Sequence, residues 1–239
     1  MKNRKKTKKQ LVNELRKIQE KKAILEKEKV KNHKIKSELN QCYKKAIEIM
    51  DEIAAVITSV VEARDPYLVG HQQRVSELAT AIATEMKLSN DTIESIRIAA
   101  QVHDVGKINL PVNLMNSVDK LANDEIEHIK NHSKVSYYIL KTVNFPSVIA
   151  EIVYQHHERI DGSGYPRKLT GNEILLEAKI LGVADVIEAM SSLRPYRSAY
   201  SISESLEEIS KNKGRLYEPK VVDTCLELFL EKRFKFNYQ

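Results

Sequence analysis

Histidine and aspartate residues occur in this sequence at positions where side chains should lie inside a protein. His103 stands at helical spacing from the apolar residues before it, and Asp104 follows directly. The pair His156 and His157 ends a second apolar segment. Asp185 has apolar residues four and seven positions before it and four after it, so an unpaired carboxylate there would cost several kcal/mol. We therefore expect a cationic partner for Asp185.

These residue types together predict a metal site, although a single core histidine is most often simply hydrogen-bonded. Neutral imidazoles and carboxylates that converge in an apolar interior are the donors that borderline divalent ions prefer. The two cysteines, Cys42 and Cys225, are far apart and have no metal-ligand spacing, which argues against a thiolate site. Iron, manganese, zinc and nickel remain as candidates. His33 and His128 lie on polar segments and are predicted to be solvated.

Helices must position these residues. The chain of 239 residues is 42% apolar and has only 7 glycines and 6 prolines, so a core is expected and a β-sandwich, barrel or propeller is not. Apolar periodicity predicts an all-α domain from about residue 50. Its helices are expected at 75–86, from a cap at Asn90 and Asp91 to Pro111, and at 124–132, 133–142, 146–157, 172–191, 201–214 and 219–232. Ser201 and Glu204 predict a capping box.

Residues 1–49 are predicted to form a long basic helical extension. Residues 1–36 carry 15 of the 39 Lys and Arg and 4 of the 33 Asp and Glu, a net charge of +11, which leaves −5 for residues 37–239. The negative charge of residues 37–239 argues against a nucleic-acid polymer as a partner. The +11 tail could hold an anionic membrane surface or nucleic acid, but a lysine run is more often a solvated face, so we expect contact with neither. No run of about 18 uncharged apolar residues and no secretory signal is present, which predicts a cytoplasmic protein.

A heptad seam runs along the end of this extension and into the domain. Its apolar residues are spaced alternately by four and three: Ile35, Leu39, Cys42, Ala46, Ile49, Ile53, Val56 and Val60. Such a 3.5-residue repeat is typical of a coiled coil. Two interpretations remain open, in which the seam either packs on its own domain or pairs with a second copy in a parallel homodimer.

The motifs of the domain resemble an HD-GYP domain, a branch of the HD superfamily of metal-dependent phosphohydrolases. The strongest is HHERIDGSGYP at 156–166, where glycines and a proline shape a loop after two histidines. The other matching blocks are RDPYLVGHQQRV at 64–75, HDVGKINLP at 103–111, His132, ILGVADVIEAM at 180–190 and RPYR at 194–197. The resemblance therefore covers residues 64–197.

The resemblance implies an HD-type helical bundle over residues 50–239 that holds two or three ions, usually iron or manganese, and hydrolyses cyclic di-GMP. It also implies a set of metal ligands, among which Asp104 bridges: His71, His103, Asp104, His132, His156, His157 and Asp185. Asp104 and Lys107 are the expected catalytic residues. Lys107 can meet the scissile phosphate or protonate the leaving oxygen, unless it is an ordinary surface lysine.

Substrate contacts are expected from Lys107, Tyr165, Arg194 and Arg197. Tyr165 could line a guanine pocket, and the two arginines offer planar forks for phosphate or guanine edges. An ion pair at a helix end is the alternative role of the arginines. Seven ligands suit two metal ions, which would activate a shared water and neutralise the charge of in-line attack.

Several positions depart from the family pattern. Residues 116–119 replace a stretch that commonly contains lysine, proline and glycine, and Ser136 and Lys168 stand where glycines are usual. Tyr67 lies four residues before His71, where some members have a glutamate that completes a third metal position. Because a phenol is a poor ligand for such ions at neutral pH, we predict a dinuclear site.

The altered loops leave three functions open. Cyclic di-GMP hydrolysis leads, and the end product is the linear dinucleotide, GMP or both. A second enzyme hypothesis is hydrolysis of another cyclic dinucleotide or nucleotide. A non-catalytic module that binds a messenger or a partner and retains its metals is the third.

Overall fold

The computed structural model describes residues 7–115, 117, 121–142, 145–193 and 199–237. The chain divides into two units, residues 1–50 and 51–239. Within the described residues the regular structure is α-helical, as predicted, with three short 3-10 helices at Pro66–Leu68, Val105–Asn109 and Gly171–Glu173. The α-helices are α1 (Lys8–Arg64), α2 (His71–Glu85), α3 (Asn90–Val102), α4 (Val112–Met115), α5 (Asn123–Lys130), α6 (His132–Thr142), α7 (Ser147–Gln155), α8 (Leu176–Ser191), α9 (Ile202–Lys211) and α10 (Pro219–Leu230).

The predicted seam of α1 is open to solvent. Ile35 and Leu39 of the first unit are 50% and 66% exposed. Ile53, Val56 and Val60 belong to the second unit and are exposed as well. For these three residues, the interpretation in which the seam packs on its own domain is therefore wrong.

The core of the second unit is built around α8. This helix is apolar on most of its circumference, and ten of its residues are buried, as expected of a helix that neighbours surround. It packs against α2, α3, α7, α9 and α10. Burying side chains such as Leu181 and Ile187 contributes roughly 2 kcal/mol each to stability. The packed helices place several of the predicted histidine ligands at their ends.

Several predicted helix boundaries are corrected by the structure. α3 is capped by Ser89, whose Oγ accepts a hydrogen bond from the Thr92 amide, rather than by Asn90 or Asp91. It ends at Val102 instead of Pro111, because the chain tightens there into the 3-10 helix that follows Asp104. α8 begins at Leu176 rather than at residue 172.

The remaining helix ends are closer to the prediction. The segment before α8 forms a separate 3-10 turn, in which Glu173 accepts hydrogen bonds from the amide and hydroxyl of Thr170. The capping box of Ser201 and Glu204 is confirmed. α9 and α10 end two or three residues earlier than expected, at Lys211 and Leu230.

None of the helices in the described part of the chain combines the length and apolar character that crossing a bilayer requires.

Candidate metal centre

Most of the predicted ligands lie at or just beyond helix ends, around one largely buried space. His103 follows the last residue of α3, and His156 follows the last residue of α7. His71 is the first residue of α2 and His132 the first of α6, whereas Asp185 lies within α8. All seven of the predicted ligands are brought together here: His71, His103, Asp104, His132, His156, His157 and Asp185.

Asp104 lies at the centre of the cluster, and its two carboxylate oxygens face different histidines. Oδ1 is 3.4 Å from Nε2 of His132. Oδ2 is 3.6 Å from Nε2 of His71 and 3.5 Å from Nε2 of His103. Oδ2 also accepts a hydrogen bond of 2.7 Å from the Lys107 ammonium. The carboxylate thus stands between two groups of imidazoles, as a bridging ligand would.

Two groups of donors flank Asp104. His71, His103 and Asp185 offer one set of ligand atoms, all within 4.8 Å of one another. A second set with the same spacing consists of His132, His156 and His157. Nε2 of His71 lies 3.4 Å from Oδ1 of Asp185. An imidazole nitrogen therefore lies beside this carboxylate, for which a cationic partner was expected.

Hydrogen bonds orient three of the histidines in the same way. The Nδ1 atoms of His103, His132 and His156 each lie 2.6 to 2.7 Å from the carbonyl oxygen three residues earlier. This places the proton on Nδ1 and leaves the Nε2 lone pair to face the cluster. Among the described residues, Nε2 of His103 and Nε2 of His156 are buried without a hydrogen-bond partner.

Electrostatics keep the imidazoles of His132, His156 and His157 neutral and the central carboxylate ionised. Burial lowers the pKa of His132 to about 4 and that of His156 to about 3, and it also lowers the pKa of His157. Burial acts on Asp104 in the opposite direction, but Lys107 and the neighbouring histidines outweigh it and hold the pKa of Asp104 well below its usual range. At neutral pH the cluster therefore offers lone pairs and negative charge to a cation.

The donor set fits divalent metal ions. Five imidazoles and two carboxylates surround a space in which buried nitrogens lack other partners, and burying such groups without a ligand is costly. Nitrogen and oxygen donors without thiolates suit borderline divalent ions such as iron, manganese, zinc or nickel. Neither Cys42 nor Cys225 belongs to a candidate metal-binding group among the described residues.

The loop that carries Asp104 is fixed by a close contact with α6. A Cβ atom at Gly106 would collide with the carbonyl oxygen of His132. Ser136, the residue that departs from the family glycine, is fully buried; it accepts a 2.8 Å hydrogen bond from the Gly106 amide and donates one of 2.8 Å to the His103 carbonyl. The departure therefore ties the loop to α6 instead of loosening it.

The second departure also has a local explanation. Lys168 has a φ of +57°, in the left-handed region that favours glycine. It belongs to the loop after α7, where Glu158 accepts hydrogen bonds from the amides of Arg167 and Leu169. The loop keeps its shape with a lysine at this position. Of the altered stretch at 116–119, only Ser117 lies within the described residues.

Two predicted substrate residues border the cluster. The Lys107 side chain is only 20% exposed, so it is not an ordinary surface lysine. The Tyr165 ring stacks on His157 with centroids 4.6 Å apart. The other two, Arg194 and Arg197, lie outside the described residues. His33 and His128 are exposed, as predicted.

Two cavities open beside Lys107 and Tyr165. The first, about 330 Å³, is largely apolar, with Leu110, Leu114 and Ile129 in its wall and Lys107 at its edge. The second, about 810 Å³, is polar and adjoins His157. Its basic side chains are those of Lys130, Lys134, Arg159 and Lys168. A ligand with apolar rings and anionic groups would match this pair of cavities.

Glu188 is a site residue that the sequence reasoning missed. It is fully buried on α8, three residues after Asp185, and its Oε2 contacts Nδ1 of His71. Oε1 accepts hydrogen bonds from Arg74 and Ser192. The available signal was a glutamate among apolar neighbours in a helix otherwise suited to the core.

The comparisons with known proteins agree with this geometry. The sequence profile of the HD domain family matches residues 55–221. Over 177 residues, the chain is 37% identical to the cyclic di-GMP phosphodiesterase response regulator RpfG of Xanthomonas campestris, covering 73% of this chain and 47% of that protein. It is 38% identical to a cyclic di-GMP phosphodiesterase of Thermotoga maritima, covering 74% and 49%.

A third relative differs in the substrate that it is named for. The 3′3′-cGAMP-specific phosphodiesterase 1 of Vibrio cholerae is 37% identical over 67% of this chain and 37% of its own length. The chain thus spans half or less of the length of these curated relatives.

Solved structures share the fold. Bd1817, an HD-GYP-type protein of Bdellovibrio bacteriovorus, superimposes with a TM-score of 0.60 at 16% identity, over 76% of this chain and 64% of its own. The HD domain of the L. monocytogenes phosphodiesterase PgpH, solved with cyclic di-AMP, gives a TM-score of 0.53 at 20% identity, over 75% and 99%. The family resemblance is confirmed: the chain belongs to the HD domain family, in its HD-GYP branch.

Proposed function

We propose that residues 50–239 form a metal-dependent phosphodiesterase that hydrolyses cyclic di-GMP, giving the linear dinucleotide, GMP or both. The observation that carries the proposal is the buried cluster of five imidazoles and two carboxylates, with a lysine ammonium 2.7 Å from the central Asp104. Relatives named as cyclic di-GMP phosphodiesterases, at 37% and 38% identity, support the substrate class.

The seven residues are proposed to hold two divalent ions, iron or manganese. His71, His103 and Asp185 would hold one ion and His132, His156 and His157 the other, with Asp104 contributing one oxygen to each. When bound, the ions supply Lewis-acid activation of water and neutralise charge on the phosphate. Tyr67 is 36% exposed and contributes to the wall of the apolar cavity, which supports two ions rather than three.

The protein groups around the cluster have separate tasks. Lys107 places a cation beside Asp104, where it can stabilise the phosphate or give a proton to the leaving oxygen. Burial raises the pKa of Tyr165, so its phenol stays neutral and can stack on a base or donate a hydrogen bond. We assign the apolar cavity to a base of the cyclic dinucleotide. The second cavity, with its basic side chains beside His157, is assigned to the phosphate that is not being cleaved. Arg194 and Arg197 are proposed as further phosphate or guanine contacts.

A turnover assay tests this function. Chelated protein is reloaded with Fe²⁺ or Mn²⁺ in the absence of oxygen and mixed separately with cyclic di-GMP, 3′3′-cGAMP and cyclic di-AMP. We expect hydrolysis of cyclic di-GMP that depends on metal and yields the linear dinucleotide, GMP or both. His128→Ala, which alters an exposed histidine, is the matched control and should retain the parental rate.

Hydrolysis of 3′3′-cGAMP is the second candidate function, because relatives named for that substrate are 32% to 37% identical to this chain. A preference for 3′3′-cGAMP would establish it in place of the first. Metal-loaded protein that binds a dinucleotide without turnover would instead identify a messenger-binding module.

Residues 1–49 are proposed as an extension that joins two copies of the chain in a parallel homodimer. The exposed heptad seam supports this, since an apolar stripe with a 3.5-residue period fits a partner helix. Cys42 lies on the seam and is exposed, and Cys225 is buried. In a parallel, in-register pair, diamide should oxidise the two Cys42 thiols to one disulfide, giving a covalent dimer that Cys42→Ser abolishes. Parent protein that stays monomeric under diamide would contradict the pairing.

The cytoplasm is the proposed location. Cys42 and Cys225 are far apart in the sequence and have no paired spacing, which is unlike the cysteine-rich disulfide framework of a small secreted protein.

A further inference from the structure

His71 is held differently from the other oriented histidines of the cluster. His103, His132 and His156 direct Nδ1 to the carbonyl oxygen three residues earlier. His71 is the first residue of α2 and follows Gly70, which has a left-handed φ of +71°. Its Nδ1 instead contacts a side chain, the Glu188 carboxylate of α8. The orientation of this one imidazole thus depends on a residue 117 positions away in the sequence.

Glu188 is itself fixed by two further partners. Arg74, one turn after His71 on α2, donates from Nε and Nη2 to Oε1 at 2.7 and 2.6 Å. Ser192, just beyond the end of α8, donates its hydroxyl to the same oxygen at 2.6 Å. Glu188 is fully buried and the Arg74 side chain is 12% exposed. Oε1 is therefore occupied by the arginine and the serine, and Oε2 is left for His71.

The opposite nitrogen of His71 faces the metal donors. Its Nε2 lies 3.4 Å from Oδ1 of Asp185 and 3.6 Å from Oδ2 of Asp104. A carboxylate that accepts the Nδ1 proton leaves the lone pair on Nε2 and prevents the ring from flipping. Histidine ligands commonly rely on such an outer carboxylate, and losing it typically weakens metal binding by about 10- to 100-fold.

We propose that Glu188 is a positioning residue that aims Nε2 of His71 at one of the two metal positions, and that Arg74 and Ser192 hold Glu188 in that role. This inference rests on the proposed function. Asp185 and Glu188 lie one helical turn apart on α8, so a single helix supplies a ligand and the support of another ligand.

Metal affinity in Glu188→Gln tests the proposal. The variant keeps the side-chain volume and removes the negative charge that accepts the His71 proton. We expect the affinity for one of the two ions, measured by competition with a chelator, to fall by about 10- to 100-fold while the other ion stays bound. At saturating metal, much of the parental kcat should return. Glu94→Gln, which removes a carboxylate that pairs with Arg97 on α3, is the matched control and should bind both ions as the parent does.

A purely structural role for Glu188 predicts a different pattern. It would lower the melting temperature of the chelated protein and leave the affinity for both ions unchanged in the folded fraction, and that result would overturn the proposal. If Glu188→Gln does not fold, Ser192→Ala decides, because it removes one hydrogen bond to Oε1. It should weaken the same ion by less than about tenfold, and parental affinity would contradict the inference.

The two proposals fail in distinguishable ways. A parent protein that binds two ions but hydrolyses none of the dinucleotides would defeat the proposed function and leave the role of Glu188 standing. A Glu188→Gln protein with parental metal affinity, made from a parent that hydrolyses cyclic di-GMP, would defeat the role of Glu188 and leave the proposed function standing.

Discussion

Residues 8–50 and residues 51–239 are both helical in this chain, yet they use histidine and apolar surface in opposite ways. In the first unit His33 is exposed, and the apolar seam is exposed as well. In the second, four of the five histidines of the metal cluster are buried and His157 is partly buried, among helices that pack against one another. The first unit thus leaves its apolar seam exposed, whereas apolar side chains of the second unit enclose a polar cluster.

The two regions therefore differ in how directly their residues indicate a function. A periodic apolar stripe predicts that another surface packs on the helix, but it does not identify that surface. Buried imidazoles and carboxylates predict a ligand directly, because without one their placement is costly.

Asp104→Ala should abolish hydrolysis, a loss of more than about thousandfold, and should release metal. Asp104 faces histidines with both oxygens, so its removal leaves both metal positions without the shared carboxylate. Turnover and metal content measured on the same preparation check this. His128→Ala is the control, and an Asp104→Ala protein that keeps two ions and parental activity would refute the assignment.

Replacing Ile49 and Ile53 with lysine should convert a dimer to a monomer in sedimentation experiments. The double variant puts like charges on both sides of the seam. Gln41→Lys with Glu48→Lys adds lysines away from the seam and should remain dimeric. Hydrolysis per chain should stay within about twofold of the parent if the chemistry is confined to residues 51–239. Parent protein that is already monomeric would contradict the seam assignment.

The metal-free protein should lose stability as the pH falls from about 6.5 to about 4. His132 and His156 have folded pKa values of about 4 and about 3, below the unfolded value of 6.5. The unfolded state therefore binds more protons in this window, and the stability present above pH 6.5 decreases as acid is added. Each histidine accounts for a loss on the order of 3 kcal/mol.

Denaturant unfolding at several pH values measures that slope. Below about pH 4 the buried carboxylates, whose pKa values are also lowered, add a further loss in the same direction. His33→Gln and His128→Gln change exposed histidines and should leave the slope unaltered. A flat profile between pH 4 and 6.5 would show that the cluster does not hold neutral imidazoles.

Ser136→Ala should destabilise the second unit by about 1 to 3 kcal/mol. The change leaves the buried Gly106 amide and the His103 carbonyl without the hydroxyl that joins them. Thermal unfolding of the metal-loaded protein measures this. The exposed Ser59→Ala, which loses a hydrogen bond within α1, is the control and should change stability by less than about 0.5 kcal/mol. Equal losses of stability in Ser136→Ala and Ser59→Ala would show that the Ser136 hydroxyl does not stabilise the loop that carries Asp104.

Apolar periodicity predicted the helical class, and the positions of His103, Asp104, His156, His157 and Asp185 among apolar residues pointed to a buried cluster. The full set of seven ligands, with His71 and His132, came only from the family resemblance. His103 with Asp104, and His156 with His157, are neighbours in the chain, so their shared environment needed no tertiary knowledge. Helix ends were less accessible to prediction. The early end of α3 depends on the 3-10 turn after Asp104, and its cap at Ser89 lay one residue outside the predicted one.

Glu188 marks the limit of reading the sequence alone. Its role depends on the packing of α8 against α2, which brings it to His71 and Arg74. No local spacing links positions so far apart. Likewise, the hydroxyl of Ser136 was visible only as a departure from a pattern, until the structure placed it between two backbone groups of the neighbouring loop.

The most direct test of the central claim is a titration of chelated protein with Mn²⁺, without oxygen, in which cyclic di-GMP hydrolysis is followed against the equivalents of metal bound per chain. We predict that activity rises and becomes saturated at two equivalents, and that Tyr67→Glu, which adds a carboxylate four residues before His71, increases the number of ions bound. A parent protein that requires a third tightly bound ion, or that hydrolyses no cyclic di-GMP at any metal load, would contradict the account.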